Sequence, residues 1–182
     1  MDCPSAKLWT GVEDLSVTAR VTWDAACLYF AAKVRDDRHV QEHSGTQVWA
    51  NDGCQIGFDP LDDAPGLDFA GRTGYDPDDA EFGIALTPSG PQTFQWTGAV
   101  DPNGCLVPQA RLAVRRAGDE TCYEWALPWE LVKALRPHPG AVFGPNFIAI
   151  DADKPGESAP HWMGLTPGIC GGKAPAAFVL GE

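Results

Sequence analysis

Apolar and polar residues alternate along much of this chain with a period of two, the spacing of a strand rather than a helix. Val17, Ala19, Val21 and Trp23 alternate with Thr18, Arg20 and Thr22, which predicts a half-buried strand over residues 16–23. Asp24-Ala25-Ala26 is a short connection, and residues 27–34 read as the returning strand of a hairpin. The same reasoning predicts strands over 54–59, 81–87, 93–97, 110–116, 121–127, 142–150, 161–164 and 177–180. Turn signals separate them: Pro60, Pro88-Ser89-Gly90 and Ala117-Gly118-Asp119-Glu120. One helix is expected over 128–135, with Pro128 at its start and Pro137 stopping it. The expected fold is therefore all-β: an antiparallel β-sandwich, jelly-roll-like, of two sheets with one short helix. No repeat and no linker divides the chain, so residues 1–182 are read as a single domain.

Composition agrees with many short strands. Glycine (20) and proline (16) make up about a fifth of the 182 residues, and 44% are apolar, enough for a core. The net charge of −12 disfavours a nucleic-acid backbone or an anionic membrane as partner. It leaves neutral ligands and divalent cations. No apolar run approaches a transmembrane span, and Met1-Asp2-Cys3-Pro4 does not open a signal peptide. The six cysteines lack CxxC spacing, which argues against zinc and permits up to three disulfides.

Several local patterns, in order, carry a resemblance. They are Trp9-Thr10-Gly11-Val12-Glu13-Asp14-Leu15-Ser16, Val21-Thr22-Trp23-Asp24, Val34-Arg35-Asp36-Asp37-Arg38-His39-Val40 and Trp49-Ala50-Asn51-Asp52-Gly53-Cys54-Gln55-Ile56. Tyr123-Glu124-Trp125-Ala126-Leu127-Pro128-Trp129, Ile150-Asp151-Ala152-Asp153 and Lys173-Ala174-Pro175-Ala176-Ala177-Phe178 follow. Together they resemble the family 9 carbohydrate-binding modules. The resemblance implies a calcium-bearing sandwich, usually joined to polysaccharide-degrading enzymes, in which two tryptophans clasp a sugar. Trp49 stands at the first tryptophan position. Gln55 stands where those members carry an acid, Gly83 where they carry an arginine, and the second tryptophan falls near Gly172.

The residues themselves suggest how a sugar would be held. A pyranose ring stacks its C–H face on an aromatic plane, and its hydroxyls need fixed donors and acceptors. Trp49 lies between the polar stretch His43-Ser44-Gly45-Thr46-Gln47 and Asn51-Asp52-Gly53, a setting for a platform. Trp162, Trp96 or Tyr75 would supply a second wall. Asn51, Gln55, His43, Arg72 and Lys173 could grip hydroxyls. Trp23, Trp125 and Trp129 are read as core. The ligand-binding set is thus Trp49, Gln55, Asn51, Trp162 and Lys173. Calcium needs six to eight oxygens. Asp36 and Asp37 at one strand end and Asp151 and Asp153 at another would supply them, with Asp76-Pro77-Asp78-Asp79 as a second site.

No GxSxG, HExxH, P-loop or GxGxxG motif is present, so the expected role is binding without catalysis. The sequence reading is a secreted, extracellular or periplasmic monomer, fused to other domains and binding an oligo- or polysaccharide. The competing reading is a structural or adhesion sandwich of a surface protein, with calcium and no sugar site. A haem domain using His39 and Met163 is the remote rival.

Overall fold

The computed structural model describes residues 9–63, 75–98, 100, 102–132, 134–157, 161–165 and 178–181. The strands are β1 (Leu15–Trp23), β2 (Cys27–Asp36), β3 (Gly53–Asp59), β4 (Ala80–Thr87), β5 (Gly90–Thr97) and β6 (Cys105–Leu106). They continue with β7 (Arg111–Ala117), β8 (Glu120–Pro128), β9 (Val142–Asp151), β10 (His161–Gly164) and β11 (Phe178–Val179). A four-stranded sheet runs β1-β2-β8-β7, and a seven-stranded sheet runs β10-β9-β3-β4-β5-β6 with β11 also on β9. Every pairing is antiparallel. Two such sheets make the expected β-sandwich.

The period-two pattern decides which side chains meet between the sheets. From the four-stranded sheet come Leu28, Phe30, Tyr123, Trp125 and Leu127, and from the other come Ile56, Phe58, Phe82, Ile84 and Phe143. Phe82 meets Trp125 edge to face with ring centroids 5.4 Å apart, and Phe58 stacks on Phe143 at 6.3 Å. The Trp125 indole N–H donates to Thr93 Oγ1 at 3.1 Å. The β1–β2 turn is tied by Asp24, whose carboxylate accepts from the Ala26 and Cys27 amides at 2.7 and 2.9 Å.

The helix expected over 128–135 is a correction. Only Trp129–Leu131 turns, as a 3-10 helix, and Pro128 ends β8. Ala134 takes a left-handed φ of 67°, which an α-helix does not tolerate. Two turns are also too few to persist without strong packing of a single face. Here the segment is pinned end-on instead, its Trp129 indole donating to the Asp24 carbonyl at 2.8 Å. Two elements lacked a sequence signal: β6, only two residues long, and a 3-10 turn over Gly45–Ala50. Cys27, Cys54, Cys105 and Cys122 are free thiols, so no disulfide forms among the described residues.

Candidate functional site

Two candidate regions stand out. The first is the outer face of the seven-stranded sheet. On β3, Cys54, Ile56 and Phe58 point into the sandwich, so Gln55 and the strand's glycines face outward. Cross-strand pairing places Gly83 on one side of Gln55 and Ile148 on the other. The next row is Glu81, Gly57 and Asn146. Gln92, Phe94 and Trp96 occupy the same face of β5, and the 3-10 turn Gly45–Ala50 sits on them. Val48 of that turn packs with Ala85, Phe94 and Trp96. The Gly45 amide donates to Gln92 Oε1 at 3.0 Å, and the Trp96 indole donates to the Thr46 carbonyl at 3.1 Å. Trp49, on this anchored turn, is 42% exposed.

Glycine at 83 has a physical reason. A Cβ there would lie 2.4 Å from the Trp96 ring and 2.8 Å from Val48. Trp96 thus fills the space above the position where the family resemblance placed an arginine. Gly83→Ala is expected to cost about 1–3 kcal/mol through overpacking. It should also shift the tryptophan emission, because Trp96 must move. A denaturant titration showing wild-type stability would contradict this close approach.

The predicted ligand residues are not all assembled together. Gln55 lies on the outer face but is buried. Asn51 is completely buried, and its carboxamide oxygen accepts the Glu42 amide at 3.1 Å. It holds the loop, and its side chain is not on the surface. Trp162 is half-buried against Ile148 and Ile150 at the β10 edge of the same face. Tyr75, considered as a wall, brings its hydroxyl within 3.2 Å of the Cβ position of Gly57. Lys173, Arg72 and Gly172 lie outside the described residues.

The second region is acidic. Asp36 ends β2, Asp52 precedes β3 and Asp151 ends β9, and the pairing of Gly53 with Ile150 sets Asp52 beside Asp151. Oxygens of Asp36 and Asp52 and a nitrogen of His39 lie within 4.8 Å of one another, as do oxygens of Asp14, Asp37 and Asp153. Asp52 accepts the Ala152 amide at 2.6 Å, the Val40 amide, and His39 Nδ1 at 3.2 Å. Asp36 accepts the Arg38 amide at 2.6 Å and Arg116 Nη1 at 3.1 Å. Asp151 is buried, and its Oδ1 has no hydrogen-bond partner.

These carboxylates disturb one another. Burial, then the Asp52 charge, pushes Asp36 up to about 6. Burial, then Asp52 and Asp36, pushes Asp151 up to about 8. Asp52 is raised by burial as well. A buried group of like charges with an orphaned oxygen fits a hard divalent cation, which supplies the missing partner and the missing charge. The sequence had singled out Asp36, Asp37, Asp151 and Asp153. Asp14, Asp52 and His39 were missed: Asp14 is brought to the end of β2 by the β1–β2 pairing, Asp52 is set beside Asp151 by the β3–β9 pairing, and His39 reaches Asp52 across the loop. The predicted second site is also compact: Asp76, Asp78 and Asp79 oxygens lie within 4.8 Å of one another. Burial and its acidic neighbours push Asp78 up to about 6.

Comparison with known proteins adds the lineage. No curated protein matches the sequence significantly. Among solved structures, the chain is similar to a carbohydrate-binding module of family 9 from Caldicellulosiruptor kristjanssonii in complex with cellotriose. The TM-score is 0.62 at 16% identity, over 84% of this chain and 66% of that one. It is also similar to a family 9 module from the same organism in complex with glucose, with TM-score 0.57 and 19% identity, over 79% and 63%. This chain therefore spans just under two thirds of the length of those modules. Such likeness at low identity speaks for the shared sandwich. The profile described as "Carbohydrate family 9 binding domain-like" matches residues 2–166, nearly the whole chain. On that match, the chain belongs to the carbohydrate family 9 binding domain-like proteins.

Proposed function

We propose that this chain is a non-catalytic carbohydrate-binding module of an extracellular protein, fused there to other domains, that stacks a sugar on Trp49. The observation that carries this reading is an exposed Trp49 on a short turn fixed to the sheet by Val48, Gln92 and Trp96. A platform held this way loses little freedom when a sugar docks. The solved relatives were captured with cellotriose and glucose, so glucose-based oligosaccharides are the first ligands to try. Trp162 and Lys173 are proposed as further contacts, and Gln55 as a polar neighbour reached from the outer face.

In the same reading a structural calcium is held by Asp36, Asp52 and Asp151, with Asp14, Asp37 and Asp153 beside them. It would supply positive charge to oxygens drawn from β2, β3 and β9, and hold the loop that carries Trp49 to the sheet ends. Titrating the calcium-loaded protein with glucose and cello-oligosaccharides, and following tryptophan emission, tests the sugar site. A saturable response that weakens at least tenfold in Trp49→Ala, about 1.4 kcal/mol, is expected. A silent titration with the fold intact would leave the structural or adhesion reading.

A further inference from the structure

The opposite side of the sandwich carries a feature that the Trp49 site does not use. Across the outer face of the four-stranded sheet runs a shallow trough of about 650 Å³. Its floor carries the small side chains Ala31 on β2, Ala126 on β8 and Ala113 on β7, with Glu124 of β8 between Ala31 and Ala113. Two cross-strand rows build it. One is Thr22, Tyr29, Ala126 and Arg111, and the other is Arg20, Ala31, Glu124 and Ala113. Arg20 and Arg111 therefore stand on the two edge strands, three strand spacings across and two residues along, about 16 Å apart. Tyr29 rises between them, its hydroxyl fixed by donation to Asp24 Oδ2 at 2.8 Å.

Charge on this face runs against the rest of the molecule. The chain has a net charge of −12 and only 13 basic residues, yet Arg20, Lys33, Arg35, Arg111 and Arg115 all project here, against the acids Glu120 and Glu124 of the same sheet. Lys33 pairs with Glu120 at 2.6 Å and Arg35 pairs with Glu13. No hydrogen bond or ion pair engages Arg20, Arg111 or Arg115 among the described residues. Unpaired guanidinium groups at both ends of the trough outnumber its one acid, Glu124, and suit carboxylates, which they bind in a planar, two-pronged fashion. The alanine floor and the Tyr29 ring suit the C–H faces of sugar rings.

We propose that this trough is a second glycan-binding surface, taking an extended polysaccharide chain whose sugars bear carboxylates. It rests on the reading of the chain as a sugar-binding module, but uses none of the residues around Trp49.

Affinity electrophoresis through polygalacturonate, methyl-esterified polygalacturonate and poly-glutamate tests it, with cello-oligosaccharide titration of the same samples. Polygalacturonate should retard the wild type and Trp49→Ala equally, and the esterified polymer should not. The double variant Arg20→Gln with Arg111→Gln should lose at least tenfold in affinity. Both positions are exposed and glutamine keeps much of the stem, so its melting temperature should stay at the wild-type value. Should the double variant nevertheless unfold, Arg111→Gln alone should lose part of the retardation. Unchanged retardation in a folded variant overturns the proposal, and so does equal retardation by poly-glutamate, which would mark an acidic-peptide surface. Retardation without a cello-oligosaccharide response refutes the Trp49 site and leaves this one standing. The reverse pattern refutes this one alone.

Discussion

Adding calcium to metal-free protein near pH 8 is expected to raise its melting temperature by roughly 5–10 °C. The size follows from mass action. Calcium at a hundred times its dissociation constant adds about 2.7 kcal/mol to the folded state. A domain of this length gains roughly 2–4 °C for each kcal/mol. The structural ground is the close pair Asp36 and Asp52, whose charges bear on Asp151, and one buried oxygen of Asp151 has no partner. Asp151→Asn should separate attraction from repulsion. It removes a buried like charge, so the metal-free variant should melt above the metal-free wild type, while the calcium increment largely disappears. A calcium increment that survives the substitution would place the ion elsewhere.

The pH dependence has a definite sign. Asp36 and Asp151 hold their protons more tightly in the fold, with values near 6 and 8 against 3.8 for a free side chain. Their protonated forms thus stabilise the metal-free protein below about pH 4, and this contribution is lost as pH rises through 6 to 8. Calcium needs the ionised forms, so its increment grows over the same interval. Melting curves at pH 5, 6.5 and 8, with calcium or with chelator, should diverge as pH rises. Parallel curves would count against ionisation at this centre.

Trp125→Ala is expected to cost about 3–5 kcal/mol of stability. Trp125 is among the largest fully buried side chains and crosses from β8 to Phe82 and Thr93 in the opposite sheet. Its removal opens a cavity between the sheets and takes away the indole donor to Thr93. Urea denaturation measures the loss. Trp49→Ala, at an exposed position, should stay within about 0.5 kcal/mol of wild type. A Trp125→Ala loss below about 1 kcal/mol would mean that the sheets are held together elsewhere.

The strands that were easiest to read have one solvated face. In β1, β2, β7 and β8 large inward apolar residues alternate with outward residues that are polar or small, so period and register show in the letters. β3 and β4 are buried on both faces, yet their turns still bounded them. The helix was over-read because Trp129, Leu131, Val132 and Leu135 are all buried, which gives helical spacing without a helix. The turn beneath Trp49 has no periodic signal; it exists because Val48 and the sheet's aromatics pack together. The same limit hid Asp52. Nothing in the local sequence says that residue 52 will lie beside residue 151, because strand pairing decides it. Gly83 was legible as a departure from the family pattern, while the reason for it, the Trp96 ring above, needed the third dimension.

The interleaved strand order also sets a timetable. β2 pairs with β8, and β3 pairs with β9, each across some ninety residues of chain. Contacts between such distant segments form slowly, on a scale of milliseconds to seconds for sandwiches of this kind. On a ribosome the wait is longer, because synthesis proceeds at about 5–20 residues per second. β2 and β3 therefore emerge with open edges and stay so until residues 120–151 follow them. During those seconds the nascent chain displays two unsatisfied, partly apolar strand edges, the kind of surface that chaperones bind and that neighbouring chains can join.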